Sequence, residues 1–406
     1  MAKTIAVVGA LDTKGAEFAF VRREIEHRGH KALVIDVGVV GEPGFPPDVP
    51  ASEVALAGGV SLPDLRARDD KALAMSVMTN GVAEVAKRLY EAGKIDGILS
   101  MGGSAGTAIG TSAMRALPIG VPKVMVSTVA SGDTKAYVET KDVVMFPSIV
   151  DVAGVNSISA RIYANAVGAV VGMAETEAPK IEKKHLLAAS MFGNTTPIVT
   201  RVREAMEAQG FEVLVFHCTG TGGATMESLV EAGFIDGVLD ITTTEWADEL
   251  VGGVLNAGPT RLDAAAKKGV PQIICPGCLD MVNFWAPDTI PDKFNGRNFY
   301  RWNPNVTLMR TTPEENAELG RILAEKANQS TGPVAFFIPL KGVSQLDSPG
   351  HEYWWPEADQ ALYDAIKQNL RPDIPVYELD YNINDDAFAD AIVAKMLEFL
   401  HVAMPA

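Results

Sequence analysis

A lysine stands where a helix is expected to begin. The stretch ALDTKGAEF follows the apolar run TIAVV, and Lys14 lies in the turn between that strand and the next helix. The positive end of a helix dipole disfavours cations, so this lysine needs an explanation. Either its amine faces an anion that the same helix end attracts, or Asp12 or Glu17 neutralises it in solvent.

A glycine-rich turn, MGGSAGT, follows another apolar strand and opens another helix. Its glycines would let a phosphate approach the backbone, and its hydroxyl residues could donate hydrogen bonds or cap the helix. The spacing fits neither a Walker A loop nor a dinucleotide fingerprint. The alternative is a tight strand–helix turn that packs closely. The candidate ligands are Gly102, Gly103, Ser104, Gly106 and Thr107.

A third loop, STVASGDT, ends a later strand and should reach the same rim, because the carboxyl ends of parallel strands share one edge of a sheet. It adds Ser127, Ser131, Gly132, Asp133 and Thr134 to Asp12, Thr13 and Lys14. Together with the glycine-rich turn, the lysine would form a phosphate clamp. Asp12 or Asp133 could hold Mg²⁺ through oxygen or could simply cap a turn, so we assign no metal ligand.

The second half of the chain carries a comparable set of polar loops. FGNTT is the counterpart of ALDTKG, with Thr195 in place of the lysine, so phosphate binding there would rest on hydroxyls and a helix end alone. This pocket is expected to hold another small molecule. Its candidate residues are Gly193, Asn194, Thr195, Thr196, Asp280, Asn283 and Lys341.

Two further motifs suggest chemistry but favour a structural interpretation. The pair Cys275 and Cys278 has C-x-x-C spacing, yet it lies in a loop after a strand and has no second pair, which weakens both redox and zinc interpretations. His351 precedes the aromatic run YWW in a loop that could cover a pocket or enter a dimer contact. We expect His351 not to be a general base.

These loops are positioned by strands and helices in alternation, which predicts an α/β fold with parallel sheets covered on both faces. Similar segments recur in the same order, and their offset falls from 181 to 140 residues because the second copy lacks about 40 residues. The lost region corresponds to the loop GEPGFPPDVPASEVALAGG of the first copy. After the second copy, the last strands of the chain should extend the second sheet. The matching pairs are 26–36 with 207–217, 90–100 with 230–240, and 119–126 with 268–275.

The duplication predicts two tandem Rossmann-like, doubly wound domains, at residues 1–178 and 183–406. The net charge of −16 disfavours nucleic acid and anionic membrane as partners. The sequence has no apolar run of the roughly 18 residues that a membrane span needs. Three cysteines make no disulfide framework, so we expect a cytoplasmic protein.

The motifs VVGALDTKGAEFAFVRREIEHRGH, GGSAGT and PKVMVSTVASGDT resemble an uncharacterised protein family typified by the N-terminal, ATP-binding domain of a tomato mosaic virus resistance protein. The resemblance continues through CPGCLDMVNF and IPLKGVSQLDSPG, and so covers nearly the whole chain. It implies two Rossmann-like halves and ATP binding, but it supplies no reaction. By motif it places ATP at the STVASGDT loop and at Asp12, Thr13, Lys14, Gly102, Gly103, Ser104 and Thr107.

We therefore expect a cytoplasmic, homo-oligomeric protein that binds ATP, with Mg²⁺ as a candidate companion. It could be an enzyme that acts on a small molecule in an interdomain cleft, by phosphoryl transfer or hydrolysis. One alternative is a non-enzymatic sensor or partner-binding protein that responds to nucleotide. Another is an α/β enzyme that uses no nucleotide and acts on an anionic substrate.

Overall fold

The computed structural model describes residues 2–182 and 184–403. The chain divides into two compact units, Met1–Lys180 and Ile181–Ala406. The predicted domains were 1–178 and 183–406, and residues 183 and 404–406 of the second lie outside the described residues. Among the described residues, no helix is long and apolar enough to cross a membrane.

The first unit alternates strands and helices, as the sequence pattern predicts. Its strands are β1 (Thr4–Gly9), β2 (Lys31–Asp36), β3 (Gly97–Gly102), β4 (Lys123–Ser127) and β5 (Val144–Pro147). Its helices are α1 (Leu11–His27), α2 (Ala51–Ala57), α3 (Leu62–Arg68), α4 (Lys71–Glu91), α5 (Ser104–Arg115), α6 (Lys135–Val138) and α7 (Ser157–Glu175).

The five strands of this unit form one parallel sheet in the order β2-β1-β3-β4-β5. Successive side chains of a strand point to opposite faces, so each strand serves two cores. Ile5 and Val7 of β1 pack with α1 and α7, whereas Ala6 and Val8 pack with α2 to α5. Because β1 and β3 are neighbours, the turns after them open side by side.

The second unit continues the alternation and adds a small antiparallel part. Its strands are β6 (Leu186–Met191), β7 (Glu212–His217), β8 (Gly237–Thr242), β9 (Gln272–Gly277), β10 (Met281–Phe284), β11 (Phe299–Asn303), β12 (Val306–Arg310), β13 (Val334–Pro339) and β14 (Val376–Leu379). Its helices are α8 (Thr196–Ala208), α9 (Thr221–Glu231), α10 (Glu245–Val251), α11 (Asp263–Lys268), α12 (Pro313–Asn328), α13 (Pro356–Asn369) and α14 (Asp386–Ala403).

Six strands of the second unit form a parallel sheet in the order β14-β13-β9-β8-β6-β7. Helices α8 and α14 cover one face, and α9 to α13 contribute to the cores on the other. The predicted terminal strands, β13 and β14, do extend this sheet. Strands β10, β12 and β11 form a separate antiparallel sheet.

The strand orders confirm two doubly wound α/β sheets built from one repeated plan. Read from β7, the second sheet begins β7-β6-β8-β9, as the first begins β2-β1-β3-β4. The three matching sequence pairs fall on β2 and β7, β3 and β8, and β4 and β9. Sequence similarity and topology therefore identify the same duplication.

Two regions differ from the sequence expectation. The segment predicted as a proline- and glycine-rich loop contains α2, because Val54 and Ala55 become buried against α4. Gly81 of α4 permits this packing, since a Cβ there would lie 1.9 Å from the carbonyl oxygen of Val54. The antiparallel sheet was not predicted, because β11 is largely exposed and lacks an alternating apolar pattern.

Candidate functional site

A cavity of about 640 Å³ lies at the carboxyl edge of the first sheet. The turn after β1 and the glycine-rich turn after β3 both line it. The structure thus brings together many of the residues singled out in the first half of the sequence. Those that line this cavity are Thr13, Lys14, Gly102, Gly103, Ser104 and Gly106.

The turn after β1 is held by a carboxylate that the sequence analysis missed. Asp36, the last residue of β2, accepts hydrogen bonds from the backbone N–H groups of Leu11 (3.0 Å) and Gly38 (2.9 Å). Burial raises the pKa of Asp36, while these two hydrogen bonds lower it. An aspartate ending a strand beside the first one is the signal that could have identified it.

Lys14 occupies a kink rather than a regular first turn. Its φ of −126° and ψ of 24° interrupt α1, so the regular helix continues only after it. Within the described ranges, its amine forms no ion pair or hydrogen bond. Both predicted neutralising groups are engaged elsewhere: Asp12 Oδ2 accepts the N–H groups of Val40 and Gly41, and Glu17 Oε1 accepts that of Gly154. The Lys14 amine therefore has no direct partner among the described residues.

The glycines of the glycine-rich turn have two different roles. A Cβ on Gly102 would lie 2.8 Å from the Cα of Gly106, so these residues allow the strand and the helix to pack closely. A Cβ on Gly103 would meet only Thr128 Oγ1, at 3.8 Å, so the space beside it is open. No side chain of a described residue caps α5, which leaves the N–H groups of its first turn available.

Two predicted hydroxyl ligands are buried and hold the loops together. Thr107 Oγ1 donates to the carbonyl oxygen of Gly103 (2.8 Å) and lies 2.6 Å from Ser127 Oγ. Both residues are almost fully buried. Thr107 does not line the large cavity, and this pair instead fixes the third loop against the glycine-rich turn.

The third loop opens onto a different cavity from the one that Lys14 lines. Ser127 and Ser131 line a space of about 340 Å³ together with Ser148 and Asp151. Gly132, Asp133 and Thr134 line neither of these two cavities. Asp133 Oδ1 accepts the N–H of Lys135 at 2.9 Å, which is the capping role weighed against magnesium binding.

The large cavity also has an apolar wall and a charged rim that the sequence analysis missed. Most of them lie between β2 and β3, from Val37 to Met78, and Ile109 lies on α5. Arg66 is fixed there by hydrogen bonds to the carbonyl oxygens of Val39 and Gly41, both at 2.7 Å. The wall consists of Val37, Val39, Val40, Leu65, Met75, Met78 and Ile109, and the rim of Arg66, Asp69, Asp70 and Lys71.

The predicted pocket residues of the second unit are mostly buried and internally bonded. Thr195 Oγ1 lies 2.7 Å from Thr242 Oγ1, and Asn283 Nδ2 donates to Asp248 Oδ2 at 2.6 Å. Thr196 is exposed, and its hydroxyl donates to the carbonyl oxygen of Phe192.

Gly193 and Lys341 lie nearer the surface. The indole of Trp302 covers Gly193, at 3.4 Å from the position of a Cβ on that glycine. Lys341 Nζ pairs with Asp380 at 3.0 Å in an exposed position, which gives this lysine a partner outside the predicted pocket.

Asp280 and Asn194 belong to a buried polar cluster at the carboxyl edge of the second sheet. Burial and then Asp347 raise the pKa of Asp280 to about 7, although Arg310 lowers it. Burial and Asp347 likewise raise the pKa of Asp359 to about 8. These carboxyls therefore hold protons far more readily than an exposed aspartate.

The cysteines and His351 show no arrangement for catalysis. Cys218, Cys275 and Cys278 form no disulfide and are buried, and burial raises the pKa of each thiol well above its usual value. Thiols in such surroundings are inert. His351 is exposed, with Glu352 at 4.0 Å as its ionic neighbour. In the described part of the chain, no group of three or more His, Cys, Asp or Glu residues could hold a metal ion.

A second buried charged network went unrecognised in the sequence. The guanidinium of Arg261 pairs with Glu227 (3.0 Å), Asp240 (2.5 Å) and Glu245 (2.9 Å). Asp240 also accepts a hydrogen bond from Gln272 at 2.7 Å. The network joins four separate elements, so spacing along the chain gave no signal for it.

Comparison with known proteins places the whole chain in one family. Residues 3–179 match the uncharacterised protein family (UPF0261) N-terminal domain, and residues 184–400 match its C-terminal domain. A UPF0261 protein of Clostridium tetani is 50% identical over 402 residues, covering 98% of this chain and 100% of that protein.

A tomato relative confirms the resemblance seen in the motifs. The ToMV resistance protein Tm-1(GCR237) of Solanum lycopersicum is 43% identical over 338 residues, covering 81% of this chain and 45% of that protein. Among solved structures, the UDP-N-acetylglucosamine 2-epimerase from Rickettsia bellii aligns over 99% of this chain and 97% of its own, at 12% identity and a TM-score of 0.23, too low to support any conclusion. On the family matches and the close relatives, this chain belongs to the uncharacterised protein family UPF0261.

Proposed function

We propose that the first unit binds ATP in the cavity at the carboxyl edge of its sheet. One observation carries the proposal: an amine without a partner among the described residues lines the same cavity as the uncapped start of a helix. The amine is that of Lys14, and the helix is α5. A cation and several N–H donors that converge on one space are suited to a polyanion.

The phosphate end of the nucleotide would lie between these groups. The N–H groups of the first turn of α5 would donate to phosphate oxygens, and the Lys14 ammonium would add a charge-assisted hydrogen bond. The space beside Gly103, which any side chain would fill, allows a phosphate to approach the backbone. These residues bind and orient the anion, and bound ATP would supply a transferable phosphoryl group.

The base end would lie against the apolar wall. Val39, Leu65, Met75, Met78 and Ile109 offer a hydrophobic surface that a planar base can cover. The volume of about 640 Å³ is typical of a small-molecule site. The family resemblance, which implies ATP, supports the same ligand.

Any magnesium would accompany the nucleotide rather than bind a preformed protein site. Asp12 and Asp133, the aspartates considered for it, already accept backbone N–H groups. Phosphate oxygens and water are ligands that Mg²⁺ commonly uses. We therefore expect magnesium to strengthen ATP binding and to have no measurable affinity for the protein alone.

Calorimetric titration tests the proposal with the variant Lys14→Ala. We expect ATP affinity to fall about 10- to 100-fold, since a charge-assisted contact contributes roughly 1.5–3 kcal/mol. AMP, with a single phosphate, should lose less. Lys87→Ala is the matched control, because Lys87 is exposed on α4 and does not line the cavity.

Two results would refute the nucleotide site. One is the absence of heat with ATP, ADP or GTP, and the other is equal ATP affinity in the Lys14 and Lys87 variants. If ATP binds, the formation of ADP with and without a panel of small-molecule acceptors distinguishes the remaining alternatives. An enzyme would form ADP in a magnesium-dependent reaction that Lys14→Ala abolishes, with release of phosphate by hydrolysis or with its transfer to an added small-molecule acceptor, whereas a sensor would bind without turnover.

The proposal also includes a cytoplasmic homo-oligomer. Three cysteines, with no disulfide between them, fit a reducing compartment. Trp285 and Trp302 of the second unit are about half exposed. Aromatic residues are enriched at protein–protein interfaces, so these two support a contact with another subunit. Sedimentation at micromolar concentration should give a mass above 43.2 kDa, and a monomer at all concentrations would contradict this part.

A further inference from the structure

Four loops of the second unit meet at the carboxyl edge of its sheet. The carbonyl oxygen of Asn194, after β6, accepts hydrogen bonds from the N–H of Gln345 (3.3 Å) and from Asn384 Nδ2 (3.0 Å). Ser344 Oγ, after β13, donates to Asp280 Oδ2, after β9, at 2.8 Å. The loops that follow four parallel strands are thus joined where open α/β sheets place ligands.

Three buried polar atoms at this junction have no hydrogen-bond partner within the described residues. They are Asp280 Oδ1, Asn194 Oδ1 and the hydroxyl of Tyr353, on side chains that are at most 1% exposed. An unpaired buried polar group costs roughly 1–3 kcal/mol, so three in one place suggest that a partner is missing.

These three side chains share one neighbourhood. Asn194 Nδ2 lies 3.6 Å from the sulfur of Met281, the residue after Asp280. Tyr353 packs in the same cluster as Met281 and Cys278, and the charge of Asp280 contributes to the raised pKa of the Tyr353 phenol. The three side chains therefore belong to one buried region of the second unit.

The chemistry of the surroundings selects the type of partner. Arg310, the basic group of this cluster, already pairs with Asp347 and Asp359, so its charge is not available to an added anion. Carboxylate and amide oxygens accept hydrogen bonds and a phenol donates one, so two or more hydroxyl groups of one ligand can satisfy all three atoms.

The nonpolar neighbours also restrict the partner. Phe192, Cys278, Met281, Leu346 and Tyr300 belong to the cluster around the site and offer surface for C–H groups. We propose that the second unit has an internal binding site for a small neutral polyhydroxy compound, a polyol or a sugar, held by Asp280, Asn194 and Tyr353. The site does not depend on nucleotide binding by the first unit.

Access to this site would require strand β11 to move. Trp302 of β11 covers Gly193, next to Asn194, and is itself 44% exposed. β11 is an edge strand that pairs with β12, and its register shifts between Arg301 and Asn303. A strand held on one side and irregular in pairing is the element most easily displaced here. Trp302 should therefore change its fluorescence when a ligand enters.

A titration of the full chain without nucleotide tests the inference. The probes are erythritol, xylitol, sorbitol, D-xylose and D-glucose, with gluconate as the anionic counterpart of glucose. Tryptophan fluorescence and the melting temperature are read together. We expect saturable binding of at least one neutral probe, and at least 10-fold weaker binding of gluconate.

Two variants and a control identify the residues. Asp280→Asn and Tyr353→Phe each keep the side-chain shape, and each should weaken binding of the responding probe at least 10-fold. Asp288→Asn, an exposed position, should bind as the unaltered protein does. A crystal soaked with the responding probe should show its density between Asp280, Asn194 and Tyr353.

Several outcomes would overturn the inference. They are no saturable response to any neutral probe, gluconate binding as tightly as glucose, unchanged affinity in both variants, or density for water alone between the three side chains. ATP titrations of the Asp280 variant separate this inference from the proposed nucleotide site, because ATP affinity should stay unchanged whichever way the polyol result falls.

Discussion

Replacing Asp280 by asparagine should stabilise the second unit at alkaline pH and change its pH dependence. Burial and Asp347 raise the pKa of Asp280 from 3.8 to about 7 in the folded protein. A carboxyl with a raised folded pKa contributes stability that is complete below its unfolded pKa and is lost as the pH rises through its folded pKa. The loss therefore falls between about pH 4 and pH 7.

The size of the effect follows from that shift. Each unit of pKa difference corresponds to about 1.4 kcal/mol. Between pH 5 and pH 8 the free energy of unfolding of the unaltered protein should therefore fall by up to about 3 kcal/mol more than that of the variant. Asp347 and Asp359 share the site and titrate with Asp280, so we expect the measured difference to be about half of this ceiling. Arg310, the phenols of Tyr353 and Tyr363, and the thiol of Cys278 are further titratable groups that interact with Asp280.

The chain provides its own probe for this measurement. All five tryptophans lie beyond residue 180, so tryptophan fluorescence follows the unfolding of the second unit alone. Urea titrations at pH 5 and pH 8 give the free energy of unfolding for the unaltered protein and the variant. The double difference between the two proteins and the two pH values is the predicted quantity.

An exposed aspartate in the same unit serves as the control. Asp288→Asn should leave the change in the free energy of unfolding between pH 5 and pH 8 as it is in the unaltered protein. If Asp280→Asn behaves in the same way as Asp288→Asn, Asp280 does not retain its proton on folding and the reasoning from burial is wrong. A variant that is less stable than the unaltered protein at pH 8 would refute it equally.

Two further substitutions test packing and charge. Gly102→Ala should lower the free energy of unfolding of the first unit by about 1–3 kcal/mol, because the new methyl group would contact Gly106. Gly103→Ala should fold with unchanged stability. Equal melting temperatures of the two variants, measured by circular dichroism, would contradict this prediction. Arg261→Met leaves buried carboxylates without their cation and should lower the free energy of unfolding by about 3–5 kcal/mol. The exposed Arg201→Met should change it little, and equal urea midpoints for the two variants, followed by tryptophan fluorescence, would refute the prediction.

Much of the fold could be predicted because it depends on local patterns. Apolar runs such as TIAVV and the helical spacing of residues 71–91 report burial directly, and repeated segments report the duplication. The helix α2 and the antiparallel sheet were missed for opposite reasons. A proline- and glycine-rich context concealed α2, and β11 is an exposed strand that lacks the periodic signal.

The candidate site likewise has features that the sequence predicted and features that only the tertiary structure shows. Lys14 and the glycine-rich turn stood out because strand–turn–helix boundaries are visible in the sequence and neighbouring parallel strands bring them to one edge. The sequence did not show that Gly102 allows close packing whereas Gly103 borders open space. It also did not show that Ser127 and Ser131 line a separate cavity, because that depends on contacts within the fold.

The sequence by itself determined the α/β class, the duplicated plan and the loops that carry polar groups, because secondary structure and burial follow from residues close together in the chain. Only the tertiary structure decided which polar groups remain free. In the fold, the side chains of Asp12, Glu17 and Thr107 form hydrogen bonds with backbone groups. The Lys14 amine has no partner among the described residues, and Asp280 and Asn194 are buried in one region. Hydrogen-bond partners and desolvation depend on what the fold brings into contact, and that is not encoded at any fixed spacing in the chain.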